Sequence, residues 1–393
     1  MPGRNFLFVP GPTNVPDRIL RAMHRAQEDH RSSTFPALAK GLLADLPKVF
    51  GSTQGQAFIF PASGTAMWET AIVNALSPGY RVLAVRNGQF SHLFIDAAQR
   101  LGMQVDVIDV PWGGAIPAGE IGDRLKADPT GAIKAVAVVH NETATGVTSD
   151  IAAVRAAMDA AGHAALLLVD GVSSVASLDF RHDDWGVDFA IAGSQKGFMM
   201  PAGLGLLCVS RKGLEAAGTA RCPRAFFDLR DHVTHNAGGY FPYTPALSHL
   251  YGLRESLDML LGEGMANVAA RHRRLAEGVR RAVAAWGLRN CCTDPATQSD
   301  TVTAIVVPDG ADAERVRDLA FRTYDLALGA GLGPLRGKVF RIGHLGDLNA
   351  LMLLGALAGT EMALADAGIP VTDRKSTRLN SSHIPLSRMP SSA

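Results

Sequence analysis

LLLVDGVSSVASLDFRHDDWGVDFAIAGSQKG, residues 166–197, holds two short apolar runs, each followed closely by a charged side chain. LLLV (166–169) stops at Asp170, and FAIAGS (189–194) runs out just before Lys196. Neither run alternates apolar with polar, so each reads as a strand buried on both faces, the pattern of a parallel sheet covered by helices. In open sheets of that kind ligands bind beyond the carboxyl ends of the strands, where Asp170 and Lys196 fall. A carboxylate in such a place is costly unless paired or hydrogen-bonded. A lysine between apolar flanks, in a turn of small and polar residues (Gly193, Ser194, Gln195, Gly197), is desolvated and able to form Schiff bases.

The same pattern extends outward in both directions. AFIFPA (57–62), RVLAVRN (81–87), VDVIDV (105–110), AVAVVHN (135–141) and GLLCVS (205–210) read as further strands, with helical spacing between them at 91–101 and 150–161. Ser149 or Asp150 is the expected N-cap of the second helix. Alternation of this kind predicts a doubly wound, mostly parallel α/β domain of about 250 residues. Beyond a helix-rich stretch at 246–286 come a strand (301–307), a helix from 312, a strand (339–345) and a closing helix, as in a smaller α+β domain. The expected division is an N-terminal arm (1–20), a large cofactor-binding domain (21–255), a small C-terminal domain (256–372) and a tail (373–393). That tail, DRKSTRLNSSHIPLSRMPSSA, is aperiodic and rich in Ser, Arg and Pro, and reads as disordered or non-native.

Composition narrows the function. With 38 basic and 37 acidic side chains among 393 residues the formal charge is +1, which leaves no footprint for nucleic acid and no polybasic membrane patch. No apolar run reaches the roughly 18 residues of a membrane span, and the N-terminus lacks a signal peptide's layout. Cys208, Cys222, Cys291 and Cys292 show neither a disulfide framework nor metal-ligand spacing, so a reduced, cytoplasmic protein is expected.

A third constellation lies at FIFPASGTAMWET, where the strand 57–62 hands over to a helix expected to start near Ala66. The N–H groups of a helix start, with the hydroxyls of Ser63 and Thr65 around Gly64, suit a phosphate. Alone, this is also a plain helix cap, Asp170 a plain Asp-Gly turn and Lys196 a surface lysine. Together, in this order on sequential strands, they are what pyridoxal 5'-phosphate requires: a helix end for its phosphate, an amine for its aldehyde and a carboxylate for its ring nitrogen.

The chain resembles the class V aminotransferases of pyridoxal-phosphate fold type I over residues 4–372, through PGPTNVP (10–16), SGTAMWET (63–70), NGQFSH (87–92), HNETATG (140–146), VDGVSS (169–174), GSQKG (193–197), FPYTP (241–245) and FRIG (340–343). The resemblance implies a ping-pong transamination in which Lys196 holds the cofactor as a Schiff base and Asp170 its ring nitrogen. It implies Phe90 over the ring, in place of the Trp of many relatives, and Val172 among the cofactor contacts. It also implies Thr143 near the ring oxygen, and Ser63, Gly64, Thr65 and Gln195 at the phosphate. Tyr243 and Thr244 would reach the phosphate of the other subunit of a homodimer, and Arg341 would grip the substrate carboxylate. The implied reaction takes L-serine and glyoxylate to hydroxypyruvate and glycine. Aspartate or alanine are alternative donors, and a cysteine desulfurase, with Cys291 or Cys292 as nucleophile, is a further alternative. His30, Arg31 and His344 are left without a role. A Rossmann nucleotide-binding protein would want G-x-G-x-x-G, and the motif is missing.

Overall fold

The computed structural model describes residues 5–371, so the segment 373–393 lies outside the described residues. After β1 (Phe6–Phe8) the chain lays down β2 (Gln56–Ala62), β3 (Arg81–Arg86), β4 (Gln104–Asp109) and β5 (Ile133–Val139). A small antiparallel pair follows, β6 (Asn141–Glu142) and β7 (Val147–Thr148), and then β8 (Leu166–Asp170), β9 (Phe189–Gly193) and β10 (Gly203–Val209). Seven of these form one sheet in the order β2-β10-β9-β8-β5-β3-β4. The five strands from β9 to β4 run parallel to their neighbours, and β10 is antiparallel to both β2 and β9.

The apolar runs are apolar on both faces because each face has its own core. Val136, Val138, Leu167 and Val169 enter one cluster, with Leu42, Leu46 and Met158 from the helices. The alternate residues Ala135, Ala137, Leu166 and Leu168 enter the other, with Met67, Trp68 and Phe94. Helices Gly64–Ala75 and Gln89–Arg100 bridge β2 to β3 and β3 to β4. Helix Ile151–Ala160 is capped by Asp150, whose carboxylate accepts from the Ala153 N–H.

A second, five-stranded sheet has the order β1-β13-β14-β12-β11, with β11 (Arg289–Asn290), β12 (Val302–Val306), β13 (Leu326–Ala330) and β14 (Val339–Gly343). Its core joins Phe8, Ile305, Leu328 and Phe340 to Trp286, the C-cap of helix Met265–Ala285, and to Leu357 from helix Ala350–Asp366. The N-terminal arm is thus part of this sheet: Phe6, Leu7 and Phe8 pair in parallel with Leu326, Ala327 and Leu328. The two sheets meet where β5, β8 and β9 end. There the Thr13 N–H donates to the Gln195 carbonyl at 3.1 Å, and the Asn141 side-chain amide donates to the Thr301 hydroxyl at 2.9 Å.

Candidate active site

Asp170 is the last residue of β8 and is only 4% exposed. One carboxylate oxygen accepts the backbone N–H of Val172 at 2.8 Å, and the other accepts the indole N–H of Trp68 at 2.9 Å. Burial pushes its carboxyl up to about 6, against these two bonds and the nearby Lys196 amine, which favour the charged form. Trp68 is held in turn by a stacked Phe94, ring centroids 5.6 Å apart. Sequence reasoning missed Trp68; a tryptophan one turn into a helix carries no signal of its partner, 102 residues away.

Lys196 follows β9 by three residues. Burial, with the positive charge of Arg341 nearby, lowers its amine to about 8, while Asp170 acts the other way. The amine donates to the Pro10 carbonyl, and the Thr13 hydroxyl donates to the Lys196 carbonyl at 3.1 Å. Gly11 passes so close that an added Cβ would stand 2.5 Å from the Lys196 amine, and its φ of 114° is one that a side chain disfavours. The PGPT segment therefore folds over the lysine, a position that its turn-like composition does not disclose.

The helix Gly64–Ala75 begins two residues earlier than expected, with Ser63 as N-cap. The Ser63 hydroxyl makes no capping bond, and Thr65 is exposed. Val172 packs onto Gly64, where a Cβ would meet its methyl at 2.6 Å. The Gln195 amide oxygen is buried without a hydrogen-bond partner among the described residues. It and the Gly64 N–H flank Gly193, 2.8 and 3.2 Å from where a Cβ there would be. Ser63, Gly64, Val172, Gln195 and Lys196 are thus neighbours around the end of β9. Free N–H groups and an uncapped hydroxyl at a helix start favour an anion.

Arg341, in the middle of β14, is 7% exposed and has no carboxylate salt bridge among the described residues. Its Nε donates to the Ala330 carbonyl at 2.7 Å and one terminal nitrogen to the Thr143 carbonyl at 3.0 Å. Its second terminal nitrogen makes no hydrogen bond to the described residues, which leaves donors for a ligand carboxylate. Thr143 is buried, and its hydroxyl is likewise without a partner among the described residues. Phe90 lies at the start of helix Gln89–Arg100, half-buried, and its N–H donates to Glu142 at 3.0 Å.

Other candidates stand apart. Tyr243 and Thr244 are exposed; Tyr243 stacks on Phe226, and neither hydrogen-bonds to the residues around Lys196. Arg31 is exposed too, and His30 is half-buried with a buried Nε2 that has no partner among the described residues. His344 is fully buried, paired with the Thr303 hydroxyl at 2.9 Å and the Asp300 carbonyl at 3.1 Å, and burial depresses it to about 3. Burial raises both Cys291, to about 11, and Cys292, which is the reverse of an activated nucleophile.

Comparison with known proteins agrees with this geometry. The family model for aminotransferase class-V matches residues 5–332. The chain is 58% identical over 388 residues to serine–glyoxylate aminotransferase of Methylorubrum extorquens, covering 98% of this chain and 96% of that protein. It is 52% identical over 371 residues to L-aspartate–glyoxylate aminotransferase of Paracoccus denitrificans, covering 94% of each. Among solved structures, ureidoglycine–glyoxylate aminotransferase from Bacillus subtilis superposes with a TM-score of 0.90 at 26% identity, over 97% of this chain and 98% of that one. The chain belongs to the class V aminotransferases, pyridoxal-phosphate-dependent enzymes of fold type I that act on amino acids and 2-oxo acids. The residues present fit that cofactor: an amine lowered by burial, a buried carboxylate in need of a cation, and an uncapped helix start beside an orphaned amide. Among the described residues no helix is long and apolar enough to cross a membrane.

Proposed function

We propose that this enzyme transfers the amino group of L-serine to glyoxylate, releasing hydroxypyruvate and glycine. The observation that carries the substrate side is Arg341, buried with no carboxylate in salt-bridge contact among the described residues and within electrostatic reach of the Lys196 amine. One guanidinium suffices for a small monocarboxylate such as serine or glyoxylate, and its fork fits the carboxylate through two parallel hydrogen bonds. His344, kept neutral by burial and occupied by Thr303 and Asp300, supplies no second charge. The Methylorubrum extorquens relative, named for serine and glyoxylate, supports the same choice. The name of the Paracoccus denitrificans relative supports aspartate as the alternative donor, with exposed Arg31 as the remaining cation to meet a second carboxylate.

Each residue has a part in this scheme. Lys196 binds the cofactor through its amine and, once released, carries the proton from the donor Cα on Nζ; an amine near 8 is free base in a useful fraction at neutral pH. Asp170 holds the proton on the ring nitrogen. Ser63, Gly64, Thr65 and Gln195 would hold the phosphate, Phe90 and Val172 would flank the ring, and the Thr143 hydroxyl would serve the ring oxygen. Bound there, pyridoxal phosphate supplies the electron sink for the pair left at Cα. Arg341 orients the carboxylate so that the Cα–H faces Lys196.

The same reading makes the enzyme a cytoplasmic homodimer in which Tyr243 and Thr244 reach the partner's phosphate. Their exposure on the surface of the single chain supports this. It also divides the chain into the arm, large domain and small domain bounded at 20, 255 and 372. A panel of amino donors with glyoxylate tests the substrate choice. Serine is expected to give the highest kcat/KM, and aspartate better by about tenfold would replace it as the donor.

A further inference from the structure

Glu142, in β6, is fully buried and has no part in the scheme above. One carboxylate oxygen accepts from the N–H groups of Phe90 and Ser91, each at 3.0 Å, and stands 3.3 Å from the Ser91 hydroxyl. The other accepts the Ala144 N–H at 3.0 Å. The carboxylate thus caps the helix that carries Phe90 and, with its second oxygen, closes the 142–146 turn. The residue after Glu142 in that turn, Thr143, supplies the carbonyl that fixes Arg341 at 3.0 Å. The fit is close: a Cβ on Gly88 would lie 2.3 Å from the Glu142 side chain.

We propose that Glu142 is a positioning residue of the transamination, whose single carboxylate sets both the Phe90 wall over the cofactor ring and the Arg341 grip on the substrate carboxylate. This rests on the roles given above to Phe90 and Arg341. A hydrogen-bonded span between two otherwise separate supports removes freedom that each would have alone, and placement of a reacting group is sensitive to such support. Burial, with the Asp170 charge nearby, raises the carboxyl to about 7, while the Ser91 and Ala144 N–H groups and the Ser91 hydroxyl favour the charged form, so a polar group sits where only full hydrogen bonding offsets the cost of burial.

Glu142→Gln separates the two links. An amide has one acceptor oxygen; turned toward Phe90 and Ser91 it sets its NH2 against the Ala144 N–H, and turned the other way it opposes Phe90 and Ser91. Either way one support opens. The probe is 3-hydroxypropanoate, which has serine's carboxylate and hydroxyl but no amine, titrated into the cofactor-loaded enzyme by visible absorbance. We expect its Kd to rise about tenfold, or the visible circular dichroism of the bound cofactor to fall, according to which link opens. A lowered melting temperature with Kd and circular dichroism both within about twofold of the parent, the scatter of sites that do not interact, overturns the proposal and leaves Glu142 a structural cap. Arg341→Lys is titrated in parallel. Should it bind the probe as the parent does, the Arg341 reading falls, and the proposal stands or falls on the circular dichroism, which reports the Phe90 side. If Glu142→Gln does not fold, Glu142→Asp, too short to span both links, is read in the same way.

Discussion

Asp170→Asn separates two functions of one carboxylate, and the structure gives a magnitude for each. In the cofactor-free protein the buried carboxyl titrates near 6 against an ordinary 3.8, a difference worth about 3 kcal/mol. A carboxyl that binds its proton more tightly when folded destabilises the fold as it ionises. The cost is absent below about pH 4, grows between 4 and 6, and is complete above that window. The amide escapes it but turns its NH2 toward either Trp68 Nε1 or the Val172 N–H, and a buried donor left unsatisfied costs about 1–3 kcal/mol. The two terms are of similar size and opposite sign, so at pH 7 the cofactor-free variant should unfold close to the parent. At pH 4, where the parent's carboxyl is neutral, the variant should be the less stable. Urea unfolding of both proteins between pH 4 and 8, at one protein concentration, reads the difference; Glu142, whose carboxyl the Asp170 charge helps to raise, falls in the variant and adds to that difference in the same direction. Loading the cofactor removes the balance, because only the carboxylate gains a cationic partner. The variant should then bind pyridoxal phosphate roughly 10–150-fold more weakly and lose about 10²–10³ in kcat. Parallel pH profiles for the two cofactor-free proteins, or a kcat within about tenfold of the parent, would refute the assignment of the ring-nitrogen partner to Asp170.

Three more outcomes follow from the site. Lys196→Ala should still bind the cofactor, since the phosphate and ring contacts remain, but lose the visible absorbance of the lysine linkage; activity above about 1% of the parent would contradict its role in proton transfer. Thr244→Ala should loosen the cofactor across subunits: mixed with Lys196→Ala it should form hybrids in which one site recovers both groups, and failure to regain activity on mixing would place Thr244 within its own chain. Trp68→Phe should cost about 1–3 kcal/mol in urea unfolding through the lost bond to Asp170, and an unchanged midpoint would show that water replaces the indole N–H.

The features legible in the sequence share a physical cause. Residues 135–138 and 166–169 serve two cores at once, so their apolar character is continuous and marks strands without reference to anything distant. Asp170 and Lys196 stand out because a charge that closes such a run must be compensated. What escaped reading is held by contacts between remote parts of the chain. β1 is three residues long and is a strand only because Leu326–Leu328 offers an edge to pair with. β13 itself, LALGA, follows a helix by a single residue and lacks a run long enough to announce it. Pro10 and Gly11 read as a turn and prove to be the cover of Lys196. Glu142 had the most misleading surroundings of all: within HNETATG it looks like one polar residue of a solvated turn, yet it is the least exposed of that group together with Ala144 and Thr145. Its burial is intelligible only once the helix start at Phe90 and Ser91 is brought against it, since three N–H donors are what make a charge tolerable there. A motif can therefore be read for the chemistry of the residue proposed to meet the ligand, here Thr143, while the adjacent residue that is buried behind it stays hidden. Thr143 meets Arg341 through its backbone carbonyl, while Glu142, the last residue of β6, turns its carboxylate to the helix start at Phe90 and Ser91.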